Sequence, residues 1–192
     1  MFVRNQTWQV PTLVVLRQLS RYRDRALQND TRMKYITSEF KQQWSPATDF
    51  RFKDYTDTDW QYLRRIVEFR SSKLTHDMHA ARVPFVAGTD IPNPYTFAGF
   101  SLHDELALLA EAGFSNLEAL QSATLNPAIF LDRQNDLGTV ERGKLADLVL
   151  LGADPLKNIS NTKDIKAVVV AGRYLDRAAL DHLLAEAEAA AK

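Results

Sequence analysis

The chain has 192 residues, 45% hydrophobic and 25% charged, with 24 basic side chains balanced by 24 acidic ones and no cysteine. That composition supports a globular core. Zero net charge argues against a dedicated nucleic-acid or membrane surface, and the lack of cysteine excludes disulfides and thiolate metal sites.

No apolar run approaches the roughly 20 residues of a membrane span. The first residues, MFVRNQTWQVPTLVVL, lack the basic start and small-residue cleavage site of a signal peptide. A soluble protein is expected, cytoplasmic for want of a targeting segment, with its native compartment left open.

Residues 8–16 (WQVPTLVVL) form a short, β-branched apolar run that predicts a buried strand. From Arg17 to about Arg82 the chain is polar and aromatic, with Asn29-Asp30-Thr31 and Ser45-Pro46 marking breaks. Phe40, Trp44, Phe50, Phe52, Tyr55 and Trp60 follow no clean period. They are expected to cover a core, the minority reading being a loop that shapes a substrate pocket. From Asp57 to about Ala81 the pattern is helical, with Trp60, Leu63, Val67, Leu74 and Met78 able to share a face.

Residues 83–87 (VPFVA) predict a second buried strand, and Gly88-Thr89-Asp90 then leaves a carboxylate at its C-terminal tip. A Pro- and Gly-rich loop follows, and Ser101 opens a helix. In a barrel of parallel strands, functional side chains sit at such tips and on the loops after them. Asp90 is therefore the first candidate for chemistry; its plain alternative is a turn or cap residue.

Ser101 with Asp104, and Ser115 with Glu118, have capping-box spacing. Leu102, Leu106 and Leu109 mark the inner face of the first of these helices, which Gly113 ends. After Asn126-Pro127 the character changes. Residues 146–151 and 165–174 predict strands, the second with a hairpin turn, and residues 177–192 an Ala-rich helix. Strand–helix–strand–helix over the first 112 residues implies parallel pairing, yet two strands do not make a stable parallel sheet by themselves.

Four histidines are present. His76 and His79, at i, i+3 spacing, are expected to be ordinary helix-end residues, and His182 to be solvated. His103 is open between facing a barrel mouth and bonding locally near the helix start.

The segments GTD, FSLHDELALLAEAGFSNLEALQSATLNPAIFL, DLGTVERGKLADLVLL and IKAVVVAGRYLD, in that order, resemble the C-terminal part of the amidohydrolase superfamily. The imidazolonepropionase- and prolidase-like members resemble it most, and the likeness covers about residues 8–176. It implies an α/β fold: the C-terminal portion of a distorted (β/α)8 TIM barrel, with strands 7 and 8 and their helices, plus the C-terminal strands of a small β-sandwich. The implied division is 1–131 for the partial barrel, 132–176 for the sandwich strands and 177–192 for a terminal helix.

The same resemblance implies metal-dependent hydrolysis of C–N bonds in small amides, cyclic amides or dipeptide-like substrates. Asp90 would be both a metal ligand and the catalytic acceptor of the attacking water's proton, and His103 a substrate contact. The implied cofactor is a divalent metal, zinc first, in the complete protein. The family's His-x-His on strand 1, the bridging Lys or Glu of strand 4 and the His ligands of strands 5 and 6 have no counterpart here. A catalytic zinc takes about three protein ligands, so the expectation is a C-terminal fragment that binds no metal tightly and is inactive alone. The alternative is a non-catalytic association module that pairs with a separate N-terminal half or self-associates.

Overall fold

The computed structural model describes all residues from Met1 to Lys192 apart from the side chain of Ser72. The helices are α1 (Leu13–Ser20), α2 (Arg25–Gln28), α3 (Ser38–Gln43), α4 (Asp57–Glu68), α5 (Thr75–Ala80), α6 (Ser101–Glu111), α7 (Asn116–Ala123), α8 (Leu125–Phe130) and α9 (Arg177–Ala190). Three strands, β1 (Leu148–Leu151), β2 (Ile165–Val170) and β3 (Arg173–Leu175), lie between α8 and α9.

The first expected strand is largely a helix. Only Gln9 pairs in parallel, with Phe85: its N–H donates to the Pro84 carbonyl at 2.9 Å, and its carbonyl accepts from Val86 N at 2.9 Å. Pro11 has no N–H to extend a ladder, Thr12 turns into left-handed backbone at φ 47°, and α1 begins one residue later. A short apolar run reads alike as strand or buried helix, and here packing decides, burying Leu13, Val14 and Val15. The second run contributes only Phe85 to the bridge. Its remaining groups turn to α7 and α8, with Ala87 N donating to the Ser122 carbonyl and Asn126 Nδ2 to that of Phe85.

The capping boxes divide. Ser115 and Glu118 close one at α7, and Thr56 with Asp59 another at α4. At α6 none forms. Ser101 Oγ instead accepts the Phe97 N–H at 2.8 Å, and Asp104 turns to Arg32 and Lys163. A six-residue π-helical stretch, Phe69–Leu74, joins α4 to α5. Its wider turn shifts the helical phase, so Leu74 leaves the buried stripe that Trp60 and Val67 occupy.

Two cores result. Leu13, Val14, Val83, Phe85, Leu106, Leu109 and Phe114 form one, between α1, the bridged segment and α6–α7. The other is aromatic: Tyr22, Trp44, Phe52, Trp60, Tyr95 and Phe97. Of the aromatic stretch, Trp44, Phe52 and Trp60 join this core with Tyr95 and Phe97 of the loop that follows Asp90, whereas Phe40, Phe50 and Tyr55 stay exposed.

The small sheet is antiparallel in the order β1-β2-β3, with Val149 opposite Val168 and Val169 opposite Tyr174. Ala171 and Gly172, at φ 49° and 75°, make the tight turn between β2 and β3. Val149, Leu150 and Tyr174 are exposed on it.

Candidate active-site loop and its surroundings

Asp90 follows the bridged segment directly. Gly88 lets the chain run close to the Gln9 segment, since a Cβ there would stand 2.5 Å from Val10 Cγ1. Asp90 is exposed and left-handed, at φ 52°. Non-glycine residues seldom adopt that region, although Asp tolerates it better than most.

The backbone of Asp90 is bound on the loop side. Its carbonyl accepts the Asn93 side-chain amide at 2.8 Å and the Asn93 backbone N–H at 3.3 Å. Asn93 Oδ1 in turn accepts a hydrogen bond from Arg51 at 2.7 Å. The Arg51 fork grips Asp49, with Nε and Nη2 donating to its two oxygens at 3.0 and 2.7 Å. The Asp49 side chain is only 5% exposed. Its bonds from Arg51 hold its carboxyl below the ordinary range despite burial. The Arg51 guanidinium is held above its usual value, first by its bond to Asp49, with the Asp90 charge adding to the effect. An open cleft of about 690 Å³ lies against this loop, lined by Phe40, Trp44, Phe50, Arg51, Asn93 and Pro94 among others.

His103 sits elsewhere. It lines a second cleft, of about 860 Å³, between the start of α6, β2 and α9, together with Arg32, Asp104, Lys163 and Arg177. Its Nδ1 is buried without a partner, and burial pushes its pKa below the usual histidine value. Asp90 itself lines neither cleft, so neither brings His103 and Asp90 together.

His76 Nδ1–H donates to the Ala112 carbonyl at 3.1 Å, and His79 stacks on Phe114 and pairs with Glu118. Both close helix ends, as expected. His182 is exposed and pairs with Glu186.

Two carboxylates absent from the candidate set hold the architecture around the loop. Asp104 bridges Arg32 at 2.6 Å and Lys163 at 2.7 Å. Burial raises its pKa, but bonds from Lys163 and Arg32 outweigh that and leave it below the carboxylate range. Glu105 is fully buried, and Oε2 accepts the Val14 N–H at 2.7 Å, at the start of α1. Burial pushes its pKa up to about 7 against the opposing bonds from Val14 and Leu13. A signal existed in the sequence: Ser101, Glu105, Leu108 and Ala112 are spaced as one helical stripe, and all are buried. The exposed Leu102 lies off it.

Among the described residues, no group of three or more His, Cys, Asp or Glu side chains gathers as a metal site. Asp90 alone does not supply a coordination sphere, and a cation, Arg51, stands among the charges near it. These residues do not by themselves fit a catalytic metal. No helix among them is long and apolar enough to cross a membrane.

The sequence model of the amidohydrolase family matches residues 70–175, more than half of the chain. The chain belongs to the amidohydrolase family. Imidazolonepropionase of Caldanaerobacter subterraneus subsp. tengcongensis is 38% identical over 79 residues, covering 38% of this chain and 18% of that protein. Among solved structures, the bottromycin amidohydrolase superposes with a TM-score of 0.69 at 26% identity, covering 96% of this chain and 40% of that one. A Xaa-Pro dipeptidase with methionine bound in its active site superposes with a TM-score of 0.64 at 20% identity, over 91% of this chain and 36% of that one. The fold of this amidohydrolase chain is therefore that of part of TIM-barrel amidohydrolases. It spans less than half the length of each of these relatives.

Proposed function

We propose that this chain carries one corner of a hydrolytic site for C–N bonds in small amides, cyclic amides or dipeptide-like molecules. The observation that carries the reading is the placement of Asp90: it ends the bridged segment, inside the stretch that matches the amidohydrolase family. In this reading the Gln9 and Phe85 segments are the remnants of barrel strands 7 and 8, residues 1–131 the barrel part, 132–176 the sandwich strands and 177–192 an added helix. The Asp90 carboxylate takes the proton of the attacking water and returns it to the leaving nitrogen as the C–N bond breaks. His103, in its separate cleft, contacts substrate only if the substrate reaches across the start of α6. The names of the relatives support the substrate class, an imidazolone ring and a Xaa-Pro dipeptide.

The family's divalent metal, zinc in this reading, needs ligands from outside these residues, because Asp90 is not joined by a second or third ligand. The isolated chain is accordingly inactive. The test is a chimaera in which this chain replaces the matching part of the bottromycin amidohydrolase. Hydrolysis that Asp90→Asn abolishes supports the assignment, and hydrolysis indifferent to Asp90→Asn contradicts it.

The exposed sheet favours a second reading, an association module. Val149, Leu150 and Tyr174 are solvent-facing on a sheet whose outer strands, β1 and β3, have free edges. Sedimentation of the purified chain separates the two: a monomer at micromolar concentration removes self-association.

A further inference from the structure

Asp90 holds a backbone conformation that costs free energy, and such a residue persists only where its surroundings over-determine it. Here the restraint can be traced atom by atom. Asn93 donates twice to the Asp90 carbonyl, Arg51 donates to Asn93 Oδ1, and Asp49 fixes the Arg51 fork. The chain of bonds ends in packed residues: the Tyr22 hydroxyl donates to Asp49 at 3.5 Å, and Tyr22 is fully buried. On the other side the Asn93 carbonyl accepts both the N–H and the hydroxyl of Thr96, which lies between the buried rings of Tyr95 and Phe97. The two ends meet, since Tyr22 and Tyr95 are edge to face at 5.7 Å.

We propose that Asn93 and Arg51 are positioning residues for Asp90, a tether that holds its backbone left-handed and so fixes the direction of its carboxylate. This rests on the assignment of chemistry to Asp90. It also gives the aromatic segment a task beyond covering a core, because Asp49 and Arg51 are its contribution to the site. Arg51 acts here by geometry rather than by charge. A bidentate fork spans Asp49 and Asn93 at once, which a lysine ammonium does not.

The test is nuclear magnetic resonance on the full chain, wild type against Asn93→Ala, Arg51→Lys and Arg51→Ala. The HN–Hα coupling of Asp90 reports its φ, and amide exchange reports protection of residues 93–97. The tether predicts that Asn93→Ala moves the Asp90 coupling toward the extended value and speeds exchange of the Thr96 amide about tenfold, the loss of one charge-assisted bond network. Amides of α6 and α7 are unchanged. Arg51→Lys behaves like Arg51→Ala, which no purely electrostatic role would produce. An Asp90 coupling and loop exchange unchanged in Asn93→Ala overturn the proposal, and so does a full rescue by Arg51→Lys. These readouts do not involve hydrolysis, so the tether can fail while the chemistry of Asp90 stands. Indifference of the chimaera to Asp90→Asn removes the chemistry instead.

Discussion

Glu105 Oε2 lies 2.7 Å from the backbone nitrogen of Val14, 91 residues earlier in the chain, and neither residue is exposed. This contact fastens α6, which follows the Asp90 loop, to the start of α1, which follows the Gln9 bridge. It joins the two segments that flank the candidate site.

The contact has a pH signature. The Glu105 pKa is raised by burial from 4.5 to about 7 in the folded chain. The folded state therefore holds a proton that the unfolded state releases between these values, and stability falls as pH rises through that window. Its contribution is complete below about pH 4.5 and lost above about pH 7, on the order of 3 kcal/mol. Glu105→Gln keeps an acceptor for Val14 and cannot ionise. Urea titrations at pH 5 and pH 8 should show a smaller loss of stability in Glu105→Gln than in wild type. Equal losses would show that Glu105 does not titrate in this window.

Asp104 works in the opposite sense. Its folded pKa is lowered, so its stabilisation is present above the ordinary carboxylate range and is lost as pH falls through the folded value. Asp104→Asn should destabilise the chain by about 1–2 kcal/mol at pH 7, a partly buried pair of ion contacts being at stake. The difference from wild type should shrink in acid. Thermal melts at pH 7 and pH 3 measure both.

Gly88 is set by space. An alanine Cβ would stand 2.5 Å from Val10 Cγ1, and the stiff valine side chain has to move or the backbone has to part. Gly88→Ala should cost about 1–3 kcal/mol, within the range of overpacking. It should also raise exchange of the Gln9 and Val86 amides, which form the bridge. Unchanged exchange there would show that the close approach is not what holds the two segments.

How much of this was legible depended on whether a pattern was local. The α7 capping box, the β2–β3 hairpin and the helical run from Asp57 could be read because each is decided within a few residues. The first strand could not. Val14 and Val15 favour strand locally, and only Glu105, far along the chain, shows why a helix starts there. The Asp104 box failed for a similar reason, as Arg32 and Lys163 outcompete a single backbone N–H for its carboxylate. Asp90 is singled out as a candidate by its place after an apolar run and Gly88-Thr89. Its restraint by Asn93, Arg51 and Asp49 is not, because those residues come from an aromatic stretch with no period.

In the proposed reading, Asp90 is one corner of a hydrolytic centre whose remaining ligands lie outside these residues. Zinc content of the purified chain, measured after gel filtration in zinc-supplemented buffer, tests it most directly. An incomplete ligand set should retain far less than one zinc per chain. Near-stoichiometric zinc that Asp90→Asn releases would contradict that reading, because these residues would then complete a metal site by themselves.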